Sequence, residues 1–232
     1  MSKVFTHDTQ AHPVVVTTDS IELNGDLTIP AGAQGIVLFA HGSGSSRHSP
    51  RNRYVASVLQ TGGLATLLLD LLTAAEEDID IQTRQLRFDI DLLASRLVGA
   101  TDWLFHTPAT QQLNIGYFGA STGSAAALIA ATKRPHLVKA IVSRGGRPDL
   151  AGAALPQVLA PTLLIVGGSD FPVITMNEDA LARLDRSTAK QLEVIPRATH
   201  LFEEPGTLER VAVLASQWFQ HYLLLPNANE SA

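Results

Sequence analysis

The chain has 232 residues, of which 45% are hydrophobic and 17% charged, a balance typical of a folded globular protein and unlike that of a disordered chain. This length falls within the range of a single α/β domain. The net charge is −5 and no basic stripe is visible, which excludes the electrostatic pattern of a nucleic-acid-binding protein. The absence of cysteine excludes disulfides, thiolate metal sites and a cysteine nucleophile.

The sequence predicts neither an export signal nor a membrane attachment. The N-terminal residues lack an apolar signal-peptide core before the first strand-like run. The most apolar stretch, residues 63–75, is interrupted by Asp70 and is too short to span a bilayer. Since no repeat or low-complexity linker divides the chain, we predict one domain over residues 1–232 in a cytoplasmic protein. The sequence leaves the oligomeric state open.

The first third of the chain predicts two antiparallel strands. A β-branched run covers residues 14–18, and apolar residues stand at every second position over residues 21–29. The second run contains Asn24-Gly25, the dipeptide typical of a tight hairpin turn. We therefore expect a hairpin at the start of the fold, with its turn at this dipeptide.

From residue 35 onward, apolar runs typical of buried strands alternate with amphipathic stretches typical of helices. The predicted strands cover residues 35–40, 64–69, 115–118, 140–143, 162–166 and 191–195. The predicted helices cover residues 53–60, 122–133, 178–184 and 208–222, with one long helix from about residue 82 to residue 104. This alternation predicts an α/β fold with a mainly parallel sheet that is covered by helices on both faces. In such sheets, ligands bind outside the carboxyl ends of the strands.

The pentapeptide GASTG at residues 119–123 follows the strand over residues 115–118 and opens a helix of small residues. This is the G-x-S-x-G pattern, in which a sharp strand-to-helix turn strains the backbone and exposes the serine hydroxyl. The helix N-terminus directs N–H groups toward the place where an oxyanion would form. We predict that Ser121 is a nucleophile, and a plain helix N-cap is the alternative.

A serine hydroxyl needs a base, and His200 is the best placed of the histidines, in a polar loop between the last strand and the final helix. Asp170 follows the strand over residues 162–166 and can fix the tautomer of the imidazole. The order Ser121, Asp170, His200 is that of α/β-hydrolases. Asp149 is the alternative acid, and a structural role is the alternative for His200.

The sequence HGSG at residues 41–44 follows the first buried strand and predicts part of an oxyanion hole. The backbone N–H of Ser43, slightly favoured over that of Gly42, is expected to act together with the N–H of Thr122. We expect His41 to be a structural residue of this loop. A phosphate-binding loop is disfavoured, because no Gly-Lys-Ser/Thr follows the glycines.

These motifs resemble the α/β-hydrolase superfamily over nearly the whole chain, and in particular its compact, lidless dienelactone-hydrolase-related branch. The phrases that carry the resemblance are FAHGSGSSRHSPRN, YFGASTG, SRGGRPDLA, LLIVGGSD and ATHLFEEPG. The resemblance implies an esterase or lactonase that works through an acyl-enzyme and needs no cofactor. Dienelactone hydrolases carry cysteine as nucleophile, whereas Ser121 stands at the matching position, which argues against dienelactone as the substrate.

Two features bear on the substrate. The segment between residues 143 and 162 is too short for the lid domain that is often inserted there in this superfamily, so an open site for small or varied esters is expected. Arg144 and Arg147 follow a strand end, and a second group follows the HGSG loop: Arg47, Arg51 and Arg53. Either group is a candidate for binding a carboxylate or phosphate on the substrate. Loop salt bridges are the alternative role for these arginines.

The expected function is therefore the hydrolysis of a small-molecule carboxylic ester, with no metal or cofactor and with neither a nucleic acid nor a membrane as partner. An acyltransferase or perhydrolase on the same triad is one alternative, which product analysis would separate. A non-catalytic ligand-binding protein of the same fold is the other. Such proteins usually have a broken triad, whereas all three positions are filled here.

Overall fold

The computed structural model describes residues 8–18, 21–186 and 188–224. The strands in these residues are β1 Asp8–Thr18, β2 Ile21–Ile29, β3 Gly35–Ala40, β4 Ala65–Leu69, β5 Asn114–Ala120, β6 Val138–Arg144, β7 Thr162–Gly167 and β8 Lys190–Ile195. The α-helices are α1 Pro50–Thr61, α2 Ala74–Thr83, α3 Ile90–His106, α4 Thr122–Lys133, α5 Phe171–Arg183 and α6 Thr207–Leu223. Short 3-10 segments cover Leu86–Phe88 and Pro148–Gln157.

The strands form one sheet in the order β1-β2-β4-β3-β5-β6-β7-β8. β2 pairs antiparallel with both β1 and β4. The remaining neighbours, from β4 across to β8, all pair in parallel. The predicted single-domain α/β fold, with a mainly parallel sheet and antiparallel N-terminal strands, is confirmed.

Both faces of the sheet are covered by helices. In β3, Ile36 and Leu38 pack into one hydrophobic core, while Val37 and Phe39 pack into the other. This period of two is that of a strand buried on both faces. Residues of α3, α4 and α5 complete the first core, and residues of α1 and α6 complete the second. The carboxyl ends of the parallel strands therefore lie along one edge of a sheet that is packed against helices on both faces.

The Asn24-Gly25 dipeptide does not form the predicted hairpin turn. β2 runs continuously through it, and the pairing of Thr18 with Ile21 at the ends of β1 and β2 places the connection of the two strands outside this dipeptide. Gly25 instead permits a close approach to β4, since a Cβ there would lie 2.9 Å from the Leu67 side chain and 3.3 Å from a backbone oxygen. The antiparallel pair was predicted correctly, but its turn was misplaced because packing against β4 creates the need for glycine.

The predicted long helix from about residue 82 is in fact three separate pieces. α2 ends at Thr83, because Arg84 adopts a left-handed conformation with φ 56°, and a 3-10 turn follows. Asp89 then caps α3 by accepting a hydrogen bond from the Leu92 N–H at 3.0 Å. The apolar stripe thus continues across a break that its periodicity does not reveal.

The segment between β6 and β7 contains the 3-10 stretch Pro148–Gln157 and no inserted lid, as expected from its length. α5 begins at Phe171, earlier than predicted, and α2 was not predicted over most of its length. The other predicted elements agree with the structure to within a few residues. In the part of the chain that the structure describes, no helix combines the length and apolar character needed to cross a membrane.

Candidate active site

Ser121 lies between β5 and α4 in a strained backbone conformation, with φ 50° and ψ −122°. Its N–H donates to the Arg144 carbonyl at 3.3 Å, and its carbonyl accepts from the N–H groups of Ser124 and Arg147, each at 3.1 Å. Neighbouring backbone thus holds the strain in place, as a nucleophile elbow requires. Ser121 occupies the N-cap position of α4, but its side chain makes no capping hydrogen bond to the helix, so the geometry does not support capping as the role of its hydroxyl.

The two glycines of the motif allow the elbow to pack closely on its surroundings. A Cβ at Gly119 would lie 2.5 Å from the Ser124 Cα. A Cβ at Gly123 would lie 2.3 Å from the Ala40 carbonyl oxygen at the end of β3. Both positions therefore exclude any side chain, because real Cβ atoms do not approach that closely.

His200 and Asp170 form a direct pair, with 2.7 Å between His200 Nδ1 and Asp170 Oδ2. A carboxylate can only accept, so Nδ1 carries the proton and Nε2 is left as the basic nitrogen. The His200 side chain is 39% exposed and the Asp170 side chain only 14%. The imidazole is thus accessible from the site, while the carboxylate that orients it is shielded.

The pair is brought together by the loops that follow the neighbouring strands β7 and β8. The Ser169 N–H donates to the Ala198 carbonyl at 2.9 Å. A Cβ at Gly167 would lie 2.4 Å from the same carbonyl oxygen, so glycine is needed where the two loops meet. These contacts fix Asp170 and His200 relative to each other through the backbone.

Asp149, the alternative acid, is engaged elsewhere. Its carboxylate accepts hydrogen bonds from Arg147 Nε at 2.9 Å and Nη2 at 2.8 Å. This pairing raises the pKa of Arg147 above its ordinary value. The structure therefore brings Asp170, and not Asp149, to His200, and it gives Arg147 the loop salt bridge that was the alternative to substrate binding.

The loop after β3 contacts the strand-to-helix turn at Ser121. A Cβ at Gly42 would lie 3.0 Å from the Ser121 Cβ, and the Ser43 N–H donates to Thr122 Oγ1 at 3.0 Å. Thr122 is the first residue of α4, so its own N–H has no acceptor within the helix. Of the predicted oxyanion-hole donors, the Ser43 N–H thus already has an acceptor, a contact that the sequence did not reveal.

His41 holds the loop after β3 in place through two hydrogen bonds to the backbone. It is buried, its Nδ1 donates to the Gly42 carbonyl at 3.0 Å, and its Nε2 accepts from the Leu71 N–H at 3.1 Å. Burial lowers the pKa of His41, against the opposing effect of the Gly42 hydrogen bond. The Nε2 contact requires a neutral imidazole, because a protonated Nε2 could not accept the Leu71 N–H. This fits the structural role predicted for His41.

Ser121 and His200 share a cavity of about 240 Å³. Its lining residues are Gly42, Ser43, Ser45, Ser49, Arg51, Asn52, Ala120, Ser121, Arg144, His200 and Leu201. Arg144, a predicted substrate-binding residue, therefore lies in the wall of the site, whereas Arg147 is not among the lining residues. Sequence reasoning missed Asn52, a buried residue in the first turn of α1, because no motif marks it.

A larger cleft of about 440 Å³ lies away from these residues, beside β1, β2 and α3. Its lining includes Asn24, Arg47 and Trp103, and among the residues that the structure describes it includes no serine or histidine. Within the described residues, no group of three or more histidine or carboxylate side chains is arranged to hold a metal ion. The convergence of polar groups, and not cavity size, identifies the candidate site.

Comparison with known proteins agrees with the geometry. The family model of the dienelactone hydrolase family matches residues 27–223. A crystal structure of a dienelactone hydrolase from Anabaena variabilis is 69% identical, with a TM-score of 0.91 over 93% of this chain and 99% of that chain. A lidless α/β serine hydrolase from Xanthomonas campestris shares the fold at 17% identity, with a TM-score of 0.72 over 95% of this chain and 98% of that chain.

A Mycobacterium tuberculosis protein named as a phosphoribosyl transferase is 57% identical over 213 residues, which is 92% of this chain. The chain spans about half of that relative's length, 47%. The family match and the Anabaena structure both cover most of the chain and both carry the name dienelactone hydrolase. The chain therefore belongs to the dienelactone hydrolase family.

Proposed function

We propose that this chain is a serine hydrolase that cleaves small carboxylic esters, lactones included, through an acyl-enzyme on Ser121. One observation carries the proposal: a strained serine and a histidine oriented by a carboxylate line the same cavity. A cavity of about 240 Å³ is small for a ligand site, which favours short acyl or alcohol groups over long lipids.

In the proposed reaction, Ser121 Oγ attacks the ester carbonyl carbon while His200 Nε2 takes the hydroxyl proton. Asp170 accepts from Nδ1 and stabilises the imidazolium that forms. The tetrahedral intermediate collapses as the C–O bond to the alcohol breaks, and His200 gives its proton to the leaving oxygen. Water then attacks the acyl-enzyme with the same base, which releases the acid and restores Ser121.

The oxyanion of the intermediate needs N–H donors on the opposite side of the carbonyl from the base. We assign the Thr122 N–H as one donor, because it has no acceptor within α4. Ser43 and Gly42 supply the candidates for the second. The Ser43 N–H can serve if it shares its hydrogen between Thr122 Oγ1 and the oxyanion, since both acceptors would lie beside the elbow.

The test is steady-state turnover of 4-nitrophenyl acetate by the wild-type protein, Ser121→Ala and Ser95→Ala. Ser95 is an exposed residue of α3 and is not among the residues that line the cavity, so its variant is the matched control. We expect Ser121→Ala to lower kcat/KM by at least about 10³-fold with an unchanged melting temperature, and Ser95→Ala to match wild type.

Comparable turnover in Ser121→Ala would contradict the proposal. Products are measured in the same assay with and without an added alcohol, thiol or peroxide. Release of free acetate in the presence of these acceptors supports hydrolysis, whereas transfer of the acetyl group in preference to water would indicate an acyltransferase or perhydrolase. No turnover by the folded wild-type protein would favour a binding protein.

A further inference from the structure

Arg144 is a buried cation in the wall of the candidate active site. It is the last residue of β6, it is paired in the sheet with Ala120, and its carbonyl accepts the N–H of Ser121. The residue is only 7% exposed. A charge placed this deep must find compensating partners, because removing it from water is expensive.

The compensation inside the protein is incomplete. Arg144 Nη2 donates to Asn52 Oδ1 at 3.3 Å, and the guanidinium carbon lies 5.9 Å from the centre of the Phe202 ring. Arg144 Nε is buried without a hydrogen-bond partner. Across residues 8–18, 21–186 and 188–224, no carboxylate lies within 4 Å of this guanidinium.

The rest of the wall adds positive potential and no negative charge. Arg51 also lines the cavity, and the described residues of the lining include no aspartate or glutamate. Burial, together with the charge of Arg51, lowers the pKa of Arg144 to about 10, so it is still protonated at neutral pH. Arg51 itself is held at 3.1 Å by the exposed carboxylate of Glu203, which leaves Arg144 as the uncompensated charge.

The N-terminus of α1 borders the same cavity. Ser49 caps this helix, and Ser49, Arg51 and Asn52 all line the cavity. The partial positive charge of a helix N-terminus favours an anion nearby. A buried arginine fork with a free Nε, a second guanidinium and a helix N-terminus together form a pocket complementary to an oxyanion.

We propose that Arg144, with Arg51 and Asn52 beside it, binds a compact anionic group of the substrate, a carboxylate or a phosphate. The inference rests on the proposed function and narrows it: the enzyme selects esters that carry an oxyanion close to the scissile carbonyl. The competing role is structural, in which Arg144 only steadies Phe202 and hence the loop that carries His200.

The first experiment compares pairs of substrates that differ in charge. The carboxylate arm uses mono-4-nitrophenyl adipate and its methyl ester, and the phosphate arm uses 1-acetylglycerol 3-phosphate and 1-acetylglycerol. We expect wild type to favour the anionic member of at least one pair by about 10-fold or more in kcat/KM, the range expected for hydrogen bonds to a charged group. The substrate pair that shows this preference identifies the bound group as a carboxylate or a phosphate.

Arg144→Gln should reduce that anionic-to-neutral ratio by about 10-fold or more. Arg147→Gln should keep the ratio, because Arg147 lies three residues beyond the end of β6 and is paired with Asp149. A structural role predicts instead that both members of a pair slow in parallel and the ratio is unchanged. That result, or the absence of anion preference in wild type on both arms, would overturn the inference. The proposed function is tested separately, by whether turnover of a neutral ester requires Ser121. Neither of these two results would change the outcome of that test.

A binding measurement makes the inference independent of turnover. Glutarate and glycerol 3-phosphate are titrated calorimetrically into Ser121→Ala and into Ser121→Ala/Arg144→Gln. We expect one of the two anions to bind the first protein and to lose that binding in the second. Thermal unfolding should show no loss of stability for Arg144→Gln, because removing an unpaired buried charge is neutral or stabilising. If Arg144→Gln is unfolded, Arg144→Met, which also removes the charge, provides the same ratio test, and equal binding or an unchanged ratio would contradict the inference.

Discussion

The cleft beside β1 and β2 and the cavity at the carboxyl ends of the parallel strands differ in size and in content. The first is the larger, about 440 Å³ against about 240 Å³. The second contains a strained serine, a histidine paired with a carboxylate and an uncompensated arginine. The smaller cavity is therefore the chemically organised one.

This difference follows from the sheet. Parallel strands end at the same edge, so β3, β5, β6, β7 and β8 deliver their following loops to one place. The antiparallel pair β1–β2 contributes packing and one side of a cleft, without such convergence. Changes at the carboxyl edge should therefore alter activity, and changes beside the cleft should alter stability.

The largest effect at the carboxyl edge, after loss of the nucleophile, is expected at the acid. Asp170→Asn should lower kcat by about 10³- to 10⁴-fold, because an amide cannot hold the imidazole in the required tautomer. Asp149→Asn, the matched control, should retain turnover, since Asp149 pairs with Arg147. Steady-state ester assays measure kcat for both variants. An equal loss of kcat in the two would contradict the assignment of Asp170 as the acid.

An intermediate effect is expected at the contact between the loop after β3 and the elbow. Thr122→Val removes the acceptor of the Ser43 N–H and should lower kcat about 10-fold with little change in KM, because a displaced oxyanion donor costs transition-state binding. Thr122→Ser keeps the hydroxyl and should retain most activity. A higher kcat in the valine variant would show that the contact competes with the oxyanion instead of positioning its donor.

The smallest effect on activity is expected beside the cleft. Gly25→Val should lower the free energy of unfolding by about 1–3 kcal/mol, because added carbon atoms collide with Leu67 and with the backbone of β4. Gly25→Ala should lie between wild type and the valine variant. Thermal and denaturant unfolding measure stability, and kcat/KM for the folded variants should match wild type. A loss of activity without a loss of stability would break the proposed separation of the two regions.

The parts of the site that the sequence predicted are those encoded locally. The Ser121 motif sits between an apolar strand and a helix, and Asp170 and His200 each follow a strand, so their shared edge could be inferred from the alternation alone. The Asn24-Gly25 turn was misplaced for the opposite reason. Gly25 allows close packing against β4, which is distant in the sequence. A pattern of two residues cannot indicate such a long-range contact.

Arg144 and Arg147 show the same limit of sequence-based prediction. Arg147 and its partner Asp149 are two residues apart, yet the sequence alone did not decide between a salt bridge and a ligand contact. The isolation of Arg144 depends on Asn52, Phe202 and the absence of a carboxylate around them. Such an environment is assembled from distant segments, so it becomes visible only in the folded chain.

The most direct test of the account is covalent labelling of the proposed nucleophile. The purified wild-type protein and a His200→Gln variant are treated with a fluorophosphonate probe, and the adduct is located by peptide mass spectrometry. The account predicts a single adduct on Ser121 in wild type and strongly reduced labelling in the variant, because His200 activates the hydroxyl. An adduct on another residue, or no adduct on folded wild-type protein, would contradict it.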